Sequence, residues 1–404
     1  MSYLNCAKKI VQKIQKEGYI SYFAGGWVRD YLMDRPSDDI DIATEADVET
    51  IRKLFPKTIP VGIAFGIVIV VEEGHHFEIA TFRREREYTD GRRPSVIEPA
   101  TPEEDAERRD FTINGLFFDP TTETLYDYVD GKKDIERGLV RAIGDPILRF
   151  TEDKLRMIRA VRYSARFQFA IDDATLAVIM KMADTLFPSV AIERVCDEIR
   201  KMSLFPHFAE AISLLHKWGL LPQIFPQLPP LTPEEIHRCL RHTDSYPQDA
   251  PFITKLLPLF SSMTRNEALH LCKTLKRSKQ ETAFILLLIR ANKIEHLSTD
   301  DRISLFADEH IETCLAILQL DHPDPSFLHR MHREMENHRP AILRKKQKTT
   351  LLKADDLLSY GIPPSKELGR LLHIAESIAI ENHLDDKTAL IELLRNHPDF
   401  HFYR

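Results

Sequence analysis

The chain has 404 residues, 43% hydrophobic and 29% charged, with a formal net charge of −7. This is the composition of a soluble globular protein, and its length exceeds what one hydrophobic core ordinarily serves, so two or more structural units are expected. A negative net charge does not of itself point to a nucleic-acid partner, but a polyanion meets a local patch rather than the sum over the chain.

The N-terminal stretch carries apolar residues at Leu4, Ile10, Val11 and Ile14 with lysines between them, the spacing of a helix rather than a signal-peptide core. Alternating patterns then predict a strand over 20–24, a helix over 26–33, a second strand over 39–43 and a helix over 48–54. Two β-rich runs, 67–71 and 77–82, flank a turn at Glu72-Glu73-Gly74-His75 that reads as a hairpin. Beyond Arg141 the strand signals stop, and helical pattern punctuated by Pro and Gly runs to the end. The expected fold class is therefore α+β, with a small mixed α/β head over 1–140 followed by a helical neck (141–205), body (206–325) and tail (326–404). Cys6, Cys196, Cys239, Cys272 and Cys314 lack CxxC or Cys/His ligand spacing and read as thiols of a reducing cytoplasm, not as disulfides or zinc ligands. The longest apolar run, AFILLLI near residue 285, is too short to span a membrane.

The stretch FAGGWVRDYLMDRPSDDIDIAT holds the first candidate chemistry. In a strand, residues two apart project from one face, so Asp39 and Asp41 can hold divalent cations side by side. Two metals suit the two ends of an in-line phosphoryl displacement, and Mg²⁺ is the expected cofactor. Gly25 and Gly26 let backbone N–H groups approach phosphate oxygens, and Arg29 in the following helix adds a cation.

This string resembles the signature of the class II, polymerase β-like nucleotidyltransferases, the family that contains CCA-adding enzymes and bacterial poly(A) polymerases. Three further blocks follow in the family's order. Arg108-Arg109-Asp110-Phe111-Thr112-Ile113-Asn114-Gly115-Leu116 is similar to its RRDxTxNAL block, with glycine where alanine is usual. The run from Phe150 through Glu152, Asp153 and Arg156 resembles its template helix, and Ala191-Ile192-Glu193-Arg194 the block that closes the neck. The likeness is close over 20–205 and looser beyond.

The resemblance implies template-independent transfer of nucleotides to an RNA 3′ end with release of pyrophosphate. Asp39 and Asp41 would be the catalytic metal ligands, joined by Glu78 from a neighbouring strand unless Glu78 instead pairs with Arg83 or Arg84. Arg109 and Asp110 would lie near the ribose and triphosphate, and Asn114 would fix their loop or merely cap it. On the template helix Asp153 and Arg156, three apart, would share a face, with Arg159 and Arg162 further along contributing to nucleotide binding. A carboxylate accepts from an exocyclic amine and a guanidinium donates to a ring nitrogen or carbonyl, so such a pair reads cytosine and adenine and rejects guanine and uracil. Glu152 would brace an arginine.

The polar, turn-rich segment 84–98 corresponds in position to the flexible loop of CCA-adding enzymes. That loop, the absence of a basic pair in Val61-Gly62-Ile63-Ala64-Phe65-Gly66, and a Gly/Pro-rich segment near 351–372 favour CCA addition to tRNA from CTP and ATP. Poly(A) addition and an A-adding specialist are the alternatives, and a noncatalytic RNA-binding descendant would be expected to have lost an aspartate of the pair. A fused HD phosphohydrolase is not supported, because His237, His242 and Asp244 do not make its ligand pattern. The tail is expected to bind tRNA through a basic stretch between His329 and Lys353, against which stands the reading of a solvated helix face.

Overall fold

A computed structural model describes residues 2–35, 37–88, 94–260, 263–364 and 367–400, in two compact units, Met1–Arg238 and Cys239–Arg404. Its mixed α/β head followed by helices is the expected fold class.

The first unit opens with helix α1 (Tyr3–Lys16), capped by the Ser2 hydroxyl. Then come β1 (Ser21–Ala24), α2 (Gly26–Leu32), β2 (Asp41–Thr44), α3 (Val48–Leu54), β3 (Thr58–Ile59), β4 (Ile67–Glu72) and β5 (His75–Thr81). After β6 (Arg83–Tyr88), β7 (Pro94–Pro99) and α4 (Pro102–Glu107), strands β8 (Leu116–Asp119) and β9 (Thr124–Asp127) complete the sheet. The strand order is β3-β4-β5-β2-β1-β8-β9, and only β2 and β5 run parallel. Alternation sorts the residues between two faces. Phe23 and Ile42 join α1 in one core, while Tyr22, Ala24 and Ala43 turn to the other face with Phe82 and Phe117. The antiparallel register sets small Ala24 opposite Asp41.

Four expectations are corrected here. Strand β2 begins at Asp41, so Asp39 precedes it, with its backbone not yet in the ladder. The 84–98 segment is no irregular loop: β6 and β7 pair as an antiparallel hairpin, Arg84 opposite Glu98, and residues 89–93 at its tip lie outside those described. Strand structure also recurs beyond Arg141, because β10 (Leu139–Val140), which follows helix α5 (Gly131–Arg137), pairs in parallel with β11 (Ala170–Ile171).

The fourth concerns the template helix, which is broken. Helix α6 (Pro146–Glu152) ends at Asp153, whose backbone is extended (φ −148°, ψ 102°), and α7 (Leu155–Phe167) begins after it. The Asp153 carboxylate accepts from the Leu155 N–H, holding the break. Asp153 and Arg156 therefore do not share a helical face. Helix α8 (Asp173–Met182) follows, and α7 packs against α9 (Ile192–Ser203) and α10 (Phe208–Lys217).

The second unit is helical throughout its described residues. One core gathers Phe284, Phe306, Cys314 and Phe327, and a second, towards the end of the chain, gathers Leu352, Leu357, Ala379 and Leu390. Capping boxes at Thr264/Glu267 and Ser278/Glu281 start two of its helices. Among the described residues no helix is long and apolar enough to cross a membrane. The basic stretch is partly neutralised within this unit: Arg330 pairs with Glu295 and Asp324, Arg344 with Glu376 and Asp385, and Lys345 with Asp300.

Candidate active site

A cleft of about 860 Å³ in the first unit collects Gly25, Gly26, Arg29, Asp39, Asp41, Arg109, Asp110, Asp153, Arg156, Arg159 and Arg162 along its walls. Glu78 is the one site residue of the sequence reading that does not line it.

One wall is the β1–α2 turn. Gly25 adopts φ 66°, ψ −124°, a conformation closed to residues with a Cβ, and its N–H donates to the Leu116 carbonyl, which corrects the expectation that this N–H meets a phosphate oxygen. A Cβ there would also sit 2.9 Å from Nη1 of Arg109, so the glycine leaves the space this guanidinium occupies. Arg29, 3% exposed, donates to Asp30 (2.7 and 2.8 Å) and, at 2.5 Å, to Oδ1 of Asn114. Asn114 in turn donates to Asp110 (3.0 Å), which is how it fixes that loop.

Asp39 and Asp41 face this wall. Water reaches Asp41 through the cleft mouth, yet its carboxyl is pushed up to about 7, first by lost solvation between the walls, then by Glu78 and Asp39, with Arg109 alone opposing. The β2–β5 register, Ile42 beside Ile79, brings Glu78 alongside Asp41. The alternative partner Arg84 is taken by Glu98 and Glu104. Among the described residues no three or more His, Cys, Asp or Glu are gathered as a metal-binding group. Two carboxylates with surplus negative charge nevertheless suit Mg²⁺, which keeps waters and is commonly held by one or two carboxylates together with substrate phosphates.

The opposite wall is α7 and the turn before it. Asp153 is gripped by both terminal nitrogens of Arg194 (3.1 and 2.7 Å). Arg156 instead donates to Glu152 (2.7 Å), the bracing expected of Glu152, and to the carbonyls of Arg149 and Arg108. Arg159 binds Asp110 (2.6 Å) and Arg162 binds Glu198 (2.6 Å). Burial would raise the Asp110 carboxyl, but Arg159, the Asn114 hydrogen bond and Arg156 hold it well below the usual carboxylate range. The Tyr163 ring stands among Arg29, Arg159 and Arg162, at 4.2 to 5.6 Å from each guanidinium.

The sequence reading passed over Tyr163 and Arg166, which also line the cleft. Arg166 could have been found as the next four-residue step after Arg162 on the same helix. It leans on Asp30 at 3.4 Å and covers the Phe205 ring at 4.1 Å.

A mixed α/β head whose aspartates share one cleft with an arginine wall borne by the helices that follow it defines a nucleotidyltransferase of the polymerase β-like class. Residues 21–141 match the "Poly A polymerase head domain" and residues 168–231 the "Probable RNA and SrmB- binding site of polymerase A". The chain is 31% identical to the CCA-adding enzyme of Geobacillus sp. (strain WCH70) over 93% of both chains. It therefore belongs to the CCA-adding enzyme family. A relative from Anoxybacillus flavithermus is 39% identical over 53% of this chain, and there the match spans about half, 54%, of the relative's length. The structure of the Bacillus stearothermophilus CCA-adding enzyme in complex with CTP superposes with a TM-score of 0.78 at 25% identity, covering 98% of each chain.

Proposed function

We propose that the protein adds CCA to tRNA 3′ ends from CTP and ATP, in the cytoplasm, with Mg²⁺ held by Asp39 and Asp41. The observation that carries this reading is geometric: one cleft gathers Asp39 and Asp41, whose crowding Arg109 only partly offsets, with the guanidiniums of Arg29, Arg109, Arg156, Arg159 and Arg162. Bound there, Mg²⁺ would activate the 3′-hydroxyl and steady the departing pyrophosphate.

The protein's own groups supply the rest. The Gly25–Gly26 turn and Arg109 receive the triphosphate, and buried Arg29 ties the helix after that turn to Asn114. The Asp110–Arg159 pair offers an acceptor and donors to a ribose 2′-hydroxyl, the group that separates ribo- from deoxynucleotides. Asp153 presents an acceptor and Arg156 donors to the base edge. They do so from a turn and a helix start held by separate partners, Arg194 and Glu152, not as a ladder on one helix. Their backbones are joined, the Arg156 N–H donating to the Asp153 carbonyl, but the side chains have separate partners, so the distance between the reading groups can change to admit adenine after cytosine. The match over 93% of a CCA-adding enzyme favours this product over poly(A).

Purified protein given Mg²⁺ and tRNAs ending before C, after CC and after CCA, with labelled CTP and ATP followed separately, tests the reading. Addition of two C residues and one A, then arrest, is expected, whereas open-ended A addition would assign the protein to poly(A) synthesis. Asp39→Ala and Asp41→Ala should each lose incorporation by more than about 100-fold. Retention within about tenfold, an effect of only ~1.4 kcal/mol, would remove them from the metal role.

A further inference from the structure

We propose that Asp105 is a positioning residue for the nucleotide site, a buried latch that fixes Arg109 within the cleft and ties it to the root of the β6–β7 hairpin. The ligand's nature rests on the function proposed above. Asp105 lies on α4, 1% exposed, and does not line the cleft. Its Oδ2 accepts from Nε and Nη2 of Arg109 (3.2 and 3.0 Å). Its Oδ1 accepts from Nε of Arg108 (2.8 Å) and from the backbone N–H of Arg83 (3.2 Å), the first residue of the hairpin. Burial would raise this carboxyl, yet Arg109 and Arg108 hold it below the ordinary range.

Such a carboxylate costs several kcal/mol to desolvate unless its oxygens are fully engaged, and here both oxygens are engaged by groups whose far ends face the cleft. Arg109 is 19% exposed at its side chain, so its inner nitrogens are occupied by Asp105 while Nη1 lies against Gly25 and donates to the Asn114 carbonyl. The Phe117 ring lies beneath its guanidinium at 4.9 Å. Carboxylate, carbonyl and ring together leave this long side chain one placement, and of the three only Asp105 also grips the hairpin. A second tie runs parallel to it, since Arg84 bridges Glu98 of β7 and Glu104 of α4. A shift of the hairpin is therefore transmitted to Arg109 through one carboxylate.

A double-mutant cycle on the full-length protein tests the latch. CTP affinity is measured by calorimetry for wild type, Asp105→Asn, Arg109→Ala and the double variant. Each single change is expected to weaken binding about tenfold, and the double variant to bind no more weakly than Arg109→Ala alone. Losses that multiply, or Asp105→Asn binding like wild type, would overturn the proposal. Because removing a buried charge can unfold a domain, the same cycle is run with Asp105→Glu, which keeps the charge one methylene further out. Its smaller loss should likewise vanish in the Arg109→Ala background. Amide exchange over 83–88 should quicken in Asp105→Ala, which removes the acceptor of the Arg83 N–H, and not in Arg109→Ala, and unchanged exchange overturns the hairpin half of the latch. A wild type that binds CTP but transfers nothing to tRNA defeats the functional reading while the cycle still decides the latch. Transfer with an additive cycle defeats the latch alone, and a wild type that binds no CTP defeats both.

Discussion

Gly115 stands where the family's block usually has alanine, and its surroundings give the reason. Its φ of −88° would admit any residue, but a Cβ would lie 2.6 Å from Cγ2 of Val129 and 3.2 Å from Cδ1 of Ile143. The methyl volume that alanine would supply is already filled from the β9–α5 side. Gly115→Ala should therefore cost about 1–3 kcal/mol by overpacking, and Val129→Ala in the same chain should recover most of it. Urea denaturation of the two singles and the double decides, since an additive double would show that Val129 is not the obstacle. Asp110 yields a pH-dependent expectation. Its folded-state pKa lies below the unfolded value, so the unfolded chain takes up protons first as pH falls. The stability it contributes is complete above about pH 4 and fades as the pH drops towards its depressed folded pKa. Asp110→Asn is expected to cost about 2 kcal/mol at pH 7, below the roughly 3–5 kcal/mol of a fully buried broken pair because Arg159 keeps 30% exposure. The deficit should shrink below pH 4, and a constant deficit from pH 7 to pH 3 would take this ion pair out of the stability account.

Among elements, the β6–β7 hairpin carries the sharpest expectation. It is rooted on α4 through Asp105 and Glu104, while its tip lies outside the described residues. Shortening the segment 87–94 should leave both C additions largely intact and suppress the terminal A, because a lid that completes a site usually limits one step more than another. Conversion of tRNA-CC to tRNA-CCA at the parent rate by the shortened enzyme would refute this, and loss of both C and A additions would mark a folding defect. The elements also show what the sequence could and could not convey. Helix α3 and the β4–β5 hairpin follow from period and alternation, which are local signals. Strand β8, LFFD, is buried on both faces, so it shows no alternation to read. No Gly or Pro marks the break at Asp153, because it is set by a side-chain cap and by Arg194, 41 residues away. The pairing of Arg159 with Asp110 spans 49 residues. The resemblance to a known family thus named most of the residues that line the cleft, Glu78 excepted, while helix spacing could not say which partner each one grips, since it speaks only for neighbours three or four apart.

At the scale of the whole molecule, every residue that lines the cleft belongs to the first unit, while the second has two cores of its own. Phe306, fully buried in one of them, tests this division. Phe306→Ala should cost about 3–5 kcal/mol in its unit and lower the first calorimetric transition, yet leave CTP affinity at low temperature unchanged. A matching loss of CTP affinity would show that the cleft depends on the integrity of the second unit. The partly neutralised basic stretch bears on the tail's expected contact with tRNA. With Arg330, Arg344 and Lys345 already paired, any displacement of counter-ions from a phosphate backbone falls to the rest of the stretch, Arg333, Arg339, Lys346, Lys348 and Lys353.

The arginine wall has a similar character. Arg29, Arg108, Arg109, Arg156, Arg159, Arg162, Arg166 and Arg194 each already hold a protein carboxylate. An arriving anion therefore meets guanidiniums whose charge is already balanced, and gains only from the N–H groups that the resident carboxylates leave open. A compact ion such as inorganic phosphate reaches few of these, while a triphosphate can span several guanidiniums at once. The pocket is accordingly expected to discriminate by valence before any base is read, which competition of phosphate, pyrophosphate and a triphosphate against CTP would check.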